Sequence, residues 1–112
     1  GEELGRRITA IVQRHAPDAI VTPKVSGEAF LTEPGALSAT LATSIEACTG
    51  LVPELSTSGG TSDARFLAAV CPVVEFGLLN ATMHKLDEAV SVADLHTLTS
   101  IYADFLQRSF AR

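Results

Sequence analysis

The stretch CPVVEFGLL, residues 71–79, decides the fold. It is apolar nearly throughout, and a short apolar run of this length is typical of a strand buried inside a sheet. The Gly-rich turn SGGTSD, residues 58–63, precedes it, and Ser62 can cap a short helix that carries Phe66. The stretch PELST, residues 53–57, is a second strand candidate on the far side of that turn. Residues 53–79 therefore predict strand, helix and strand in succession.

Helix patterns enclose this central part of the chain. Residues 36–49 carry apolar side chains at helical spacing, and Gly50 suits the residue that follows a helix. A last helix is predicted for residues 92–110, where Ser91 and Asp94 have the spacing of a capping box. The apolar stripes predicted to be buried are those of Leu37, Leu41, Ile45 and Cys48 in the first helix and Leu95, Leu98, Ile101, Tyr102, Phe105 and Leu106 in the last.

The order of elements from residue 36 onward is helix, strand, helix, strand, helix, which predicts a layered α/β sheet. Residues 2–15 predict an amphipathic helix that Pro17 ends. Residues 19–31 predict extended chain, in which Pro23 restricts any strand to an edge or a break. This first helix and strand are too small to close a core of their own. We expect a seam at residues 32–35, between them and the alternating part.

Composition limits the possible functions. The chain has 112 residues, 46% of them apolar, so it can build the core of one domain or part of a larger one. Its net charge of −5 disfavours nucleic acid as a partner. No apolar run approaches the roughly 20 residues of a membrane span, and the charged start GEELGRR is unlike a secretory signal, so we expect a cytoplasmic protein. Cys48 and Cys71 are expected to be buried free thiols.

The Gly-rich turn is the first candidate site. A turn of this kind at a helix start can present backbone N–H groups to a carboxylate or a phosphate, and Thr61 and Ser62 add hydroxyl groups. The lysine of a P-loop is missing. On spacing alone, a tight turn with a helix cap and no ligand is the more frequent explanation.

The stretch NATMHKLDEAV, residues 80–90, is the second candidate site. It follows the strand predicted for residues 71–79, and open α/β sheets place their sites at the carboxyl ends of strands. The Asn80 amide could bind a carboxylate or a carbonyl, and His84 could bind a metal or transfer a proton, oriented by Asp87 or Glu88. A single histidine in a polar loop is more often exposed and without a function.

Four stretches together closely resemble one known family. They are VSGEAFLTEPG (25–35), STSGGTSDARF (56–66), CPVVEFG (71–77) and NATMHKLDEAVSVADL (80–95). They are similar to the C-terminal part of the aminoacylase/carboxypeptidase family of two-zinc amidohydrolases, and the resemblance covers nearly the whole chain. It implies that residues 1–33 are the remnant of an α+β lid and dimerisation domain. Residues 34–112 would be the C-terminal portion of a layered α/β catalytic domain.

The resemblance also implies an activity. The pair of motifs GGTSD and NAT-x-H is similar to the members that hydrolyse N-succinyl-L,L-diaminopimelate to succinate and L,L-diaminopimelate, in lysine and diaminopimelate biosynthesis. These enzymes hold two zinc ions per subunit, with cobalt as a possible substitute, and form homodimers. His84 matches the last metal ligand of the family. Gly60, Thr61 and Asn80 match positions that contact substrate.

The sequence lacks the catalytic motifs and most of the metal ligands that the family resemblance would require. It has no H-x-D motif, and its one Glu-Glu pair, Glu2-Glu3, lies in the wrong region to supply the general base. We therefore expect no catalytic residue in this chain, no activity from it alone and no stable zinc binding, since a catalytic zinc needs about three protein ligands. Two alternatives are a related deacylase of the acetylornithine deacetylase kind and a stand-alone carboxylate-binding or structural domain.

Overall fold

The computed structural model describes residues 1–60 and 62–111. These residues form four helices: α1 (Glu2–His15), α2 (Ala36–Thr49), α3 (Ala64–Leu67) and α4 (Val92–Phe110). The helix predictions for residues 2–15, 36–49 and 92–110 are confirmed. The short helix predicted after Ser62 is also present, with the Ser62 hydroxyl accepting a hydrogen bond from the Ala64 N–H at 3.0 Å.

The predicted sheet is not formed. Within the described ranges no residue lies in a β-strand, and residues 19–31, 53–57 and 71–79 run as irregular or extended chain. A strand is stable only when its backbone N–H and C=O groups pair with a neighbour, and among residues 1–60 and 62–111 no extended segment pairs with another. Leu55 and Leu79 are accordingly 60% and 81% exposed. The prediction of strands over these residues was therefore wrong for the described part of the chain.

The core lies between α2 and α4, which pack against each other. Leu41 and Ile45 of α2 meet Ile101 of α4, and Val74, Phe76 and Phe105 pack around them. The Tyr102 hydroxyl donates to the Phe76 carbonyl at 2.5 Å and so joins α4 to residues 71–79. Residues 71–79 thus lie on the helix pair, although they have no strand partner.

Part of each predicted apolar stripe is exposed. Cys48 and Cys71 are free but exposed, which corrects the expectation that they are buried. Leu95, Tyr102 and Leu106 are 43%, 40% and 52% exposed. The reason is geometric: α4 meets one helix and one extended segment, and these cannot cover a stripe as wide as the sequence supplies.

Local capping follows the predictions in part: the expected glycine ends α2, the Ser91 half of the predicted capping box is formed, and α3 has Asp63 and not Ser62 at its N-cap. Gly50 ends α2 in the left-handed conformation, with φ of 72°. At the other end of α2 the Gly35 N–H donates to Ser38 Oγ at 3.0 Å. The Ser91 hydroxyl accepts hydrogen bonds from the N–H groups of Ala93 and Asp94 at the start of α4. These contacts satisfy backbone groups that the helix ends would otherwise leave unpaired.

An ion pair near the core adds a polar link. Arg108 Nε donates to the Asp104 carboxylate at 2.5 Å, one turn apart on α4. This bond, and second a hydrogen bond from Ser44 of α2, hold the pKa of Asp104 below its ordinary value. Ser44 is fully buried, and its hydroxyl also lies 3.1 Å from the Thr40 carbonyl. Because a hydroxyl has one hydrogen, Ser44 donates to only one of these acceptors at a time.

The molecule is extended. Its radius of gyration is 19.4 Å, whereas about 13 Å is expected for a compact domain of this length. Its accessible surface is 9166 Å², against about 5,900 Å² for a folded monomer of this mass. None of the helices in the described part combines the length and the apolarity that crossing a membrane requires.

Candidate functional site

Three of the four stretches that carry the family resemblance meet around α3. The Ser62 hydroxyl of the Gly-rich turn donates a hydrogen bond to the Glu75 carboxylate. Arg65 of α3 lies against Gly27, where an added Cβ would be 3.0 Å from Arg65 Cδ, so only glycine fits without displacing the arginine. The Arg65 guanidinium also stacks on the Phe66 ring, 4.7 Å from its centroid. The turn is therefore attached to residues on both sides of it in the sequence.

The fourth stretch forms a closed loop, which we call the His84 loop, residues 82–89. The Thr82 hydroxyl donates to the Ala89 carbonyl at 2.7 Å and accepts from the Ala89 N–H at 3.1 Å. Inside the loop the Lys85 N–H donates to the Thr82 carbonyl at 3.0 Å. His84 is thus the third residue of a four-residue turn within the loop, and its side chain is exposed.

Two non-glycine residues of this loop have left-handed backbone conformations. His84 has φ of 60° and Asp87 has φ of 57°. Histidine and aspartate enter this region more readily than most residues, but the conformation still costs free energy and persists only where the surrounding contacts enforce it. The contacts that enforce it here are the hydrogen bond from the Lys85 N–H to the Thr82 carbonyl and the two hydrogen bonds between the Thr82 hydroxyl and Ala89.

The other predicted site residues in the described part of the chain lie on exposed, irregular segments. Asn80 is exposed, and its backbone carbonyl accepts a hydrogen bond from the Met83 N–H at 3.2 Å, directly before the His84 loop. Gly60 is exposed in the turn before α3, with no atom within 4 Å of an added Cβ. Thr61 lies outside the described residues.

Within the described part of the chain, Gly60, Asn80 and His84 lie apart from two surface grooves that flank α1 and α2. One of these grooves runs between the start of α2 and residues 68–73, and the other lies between α1 and Pro23. Neither is lined by Gly60, Asn80 or His84. The two candidate loops are therefore both exposed and lie on open surface.

Metal-ligating side chains are not clustered either. Among residues 1–60 and 62–111 no three His, Cys, Asp or Glu side chains are arranged to hold a metal ion. The exposed imidazole of His84 has the chemistry of one zinc ligand, but a catalytic zinc needs about three from protein. The described residues therefore fit one ligand position of a zinc site and do not fit a complete one.

Two contacts were not anticipated from the sequence. Ser62 was interpreted as a helix cap, and its bond to Glu75 depends on residues 13 positions apart. Thr82 was not singled out, although it closes the loop that contains His84. A threonine in a polar loop carries no sign of which backbone group its hydroxyl will meet, so neither contact could have been read from spacing.

Comparison with known proteins agrees with the resemblance in the four stretches. The model of peptidase family M20/M25/M40 matches residues 4–108. The chain therefore belongs to this family of hydrolases, whose enzymes are generally zinc-dependent.

The relatives point to one kind of enzyme. The chain is 56% identical over 99% of its length to a succinyl-diaminopimelate desuccinylase of Rhizorhabdus wittichii, covering 29% of that protein. It is 60% identical over 98% of its length to one of Sphingopyxis alaskensis, again covering 29%. A third, of Novosphingobium aromaticivorans, is 62% identical over 91% of the chain and 27% of the relative. The chain thus spans less than a third of the length of the curated relatives it matches.

Proposed function

We propose that this chain forms the C-terminal part of a zinc-dependent amidohydrolase that cleaves N-succinyl-L,L-diaminopimelate into succinate and L,L-diaminopimelate. The observation that carries the proposal is the identity of 56–62% to three succinyl-diaminopimelate desuccinylases. The matched region of the Rhizorhabdus wittichii relative covers 99% of the chain and so includes both the Gly-rich turn and the His84 loop. The arrangement around α3 supports it, because Ser62, Glu75 and Arg65 attach the turn to the neighbouring motif segments.

The proposed roles of individual residues follow the family motif. His84 supplies one ligand to one of two zinc ions, and Gly60, Thr61 and Asn80 contact the substrate. The exposure of Gly60, Asn80 and His84 supports these roles, since each can be reached by groups from outside this chain. Zinc, when bound, provides Lewis acidity and lowers the pKa of water. The general base and the remaining ligands lie outside this chain.

The proposal includes a division of the chain and a partner. Residues 1–33 belong to a lid and dimerisation domain, and residues 34–112 to the catalytic domain. In support, α1 makes no packing contact with the other three helices in the described part of the chain. We also propose that the enzyme to which this chain belongs is a homodimer and is located in the reducing cytoplasm. The free state of both cysteines is consistent with such a compartment.

The chain alone should be inactive, because its described residues offer no three-ligand metal group. The test is a chimera in which this chain replaces the matching segment of the Sphingopyxis alaskensis relative. We expect the chimera to release succinate from N-succinyl-L,L-diaminopimelate and the isolated chain to release none. Succinate release by the isolated chain, or none by a folded, zinc-loaded chimera, would contradict the proposal.

Two variants and a second substrate sharpen this test. His84→Ala should lower both zinc content and activity of the chimera, whereas His96→Ala, at an exposed histidine on α4, should change neither. N-acetylornithine should be a poor substrate. A preference for N-acetylornithine would instead indicate an acetylornithine deacetylase of the same family.

A further inference from the structure

The His84 loop has one side chain that determines its shape. The Thr82 hydroxyl bonds to both backbone groups of a single residue, Ala89, at 2.7 and 3.1 Å. It thereby satisfies the two backbone groups of Ala89, as a neighbouring strand would. The single donor of the hydroxyl and one of its two acceptor lone pairs are thus directed to the same residue.

The same residue also starts the turn that contains His84. The Thr82 carbonyl accepts the Lys85 N–H at 3.0 Å, and between them the His84 backbone is left-handed with φ of 60°. The exposed Lys85 ammonium donates a further hydrogen bond to the Ala81 carbonyl at 2.7 Å. Because this side chain is exposed to water, the bond stabilises the turn less than the backbone bond does. Without the Thr82 hydroxyl, nothing in the described part of the chain holds the two ends of the loop together by a side-chain bond.

We propose that Thr82 is a positioning residue: its hydroxyl closes residues 82–89 and so holds the His84 backbone in the left-handed turn from which the imidazole is presented. The relevance to catalysis rests on the proposed function of His84 as a zinc ligand. The structural part of the proposal does not, because it concerns only bonds within this chain. A loop with its ends fixed has less conformational entropy to lose when His84 binds a metal.

The experiment compares Thr82→Val, which removes the hydroxyl at nearly constant shape, with Thr82→Ser, which keeps it. Thr97→Val is the matched control, because the Thr97 hydroxyl bonds to the Ala93 carbonyl within α4, away from the loop. Loss of the hydrogen bond from the Ala89 N–H, worth about 1 kcal/mol, should speed amide exchange at Ala89 roughly five-fold in Thr82→Val. Thr82→Ser and Thr97→Val should leave it near the wild-type rate.

The second readout is the backbone of His84 itself. Its carbon chemical shifts in the full chain should move from left-handed values toward coil values in Thr82→Val and return in Thr82→Ser. Unchanged exchange at Ala89 together with unchanged His84 shifts in Thr82→Val would overturn the proposal. A general loss of helix signal in Thr82→Val but not in Thr82→Ser would also overturn it, because Thr82 would then be a folding residue.

The third readout separates this proposal from the proposed function. In the chimera, Thr82→Val should weaken zinc binding on the order of ten-fold, as loss of an orienting contact does, with rescue in Thr82→Ser. If His84→Ala leaves zinc binding unchanged, the function proposed for His84 fails while the loop bonds stand. If His84→Ala abolishes zinc binding and Thr82→Val has no effect on it, the positioning role fails and the proposed function stands.

Discussion

At the scale of single residues, the backbone of His84 makes an unusual prediction. Because its φ is 60°, glycine fits this position better than alanine does. We expect His84→Gly to be more stable toward urea than His84→Ala, by about 1 kcal/mol. At His96, inside α4, the order should reverse by a similar amount, because glycine weakens a helix interior. Equal stabilities of the two His84 variants would contradict the left-handed conformation.

Asp104 makes a prediction about pH. Its pKa is lowered in the folded state by the hydrogen bonds from Arg108 and Ser44, so folding favours the ionised carboxylate. A depressed pKa contributes stability that is complete above the unfolded value of about 3.9 and is lost as pH falls through the folded value. We expect Asp104→Asn to reduce the difference in urea stability between pH 6 and acid conditions. Glu3→Gln, in an exposed pair with Arg6, is the control and should leave that difference nearly unchanged.

At the scale of elements, the end of α2 depends on one glycine. Gly50 is left-handed, and no atom lies within 4 Å of an added Cβ, so any cost of substitution is conformational and not steric. Gly50→Ala should destabilise the chain by about 1 kcal/mol, seen in thermal unfolding followed by circular dichroism. Gly59→Ala, equally uncrowded but without a left-handed φ, should have little effect. Equal effects of the two substitutions would mean that the backbone at Gly50 does not require glycine.

Helices and strands differed in how far the sequence could predict them. The bounds of α1, α2 and α4 were readable because Pro17, Gly50 and Ser91 act within a few residues of the helix ends they mark. The strand pattern of residues 71–79 is equally clear, yet a strand requires a partner elsewhere in the chain. Periodicity reports which side chains can be buried and not whether a neighbour is present to bury them.

The candidate site could likewise be predicted from the sequence only in part. The motif stretches identified the Gly-rich turn and the His84 loop, because residue types at short spacing are local information. The contacts of Ser62 with Glu75 and of Thr82 with Ala89 depend on how the chain folds back, and no local pattern contains them. The left-handed backbone of His84 follows from the second of these contacts, so it too was beyond sequence analysis.

At the scale of the whole molecule, the exposed surface is the main physical fact. The chain exposes about 3,300 Å² more than a compact monomer of its mass would. Much of this excess is apolar, including Leu51 and Val52 after α2 and Leu79 before the His84 loop, at 69%, 78% and 81% exposure. Exposed apolar surface of this extent is typical of regions that pack against another surface. The segments that failed to form strands are among those that remain uncovered.

The exposed apolar face of helix α1 predicts that the chain associates with itself. Leu4, Ile8 and Ile11 lie on one face and are 61%, 47% and 50% exposed, while buried Gly5 lies against Pro23. We expect the wild-type chain to self-associate in light scattering at high concentration, because burying this apolar face against a second copy is favourable. Replacing Leu4, Ile8 and Ile11 by glutamine should shift it toward monomer. Glutamine at Arg7 and Arg14 is the matched control, and a wild-type chain that stays monomeric would show that this face is not an interface between copies.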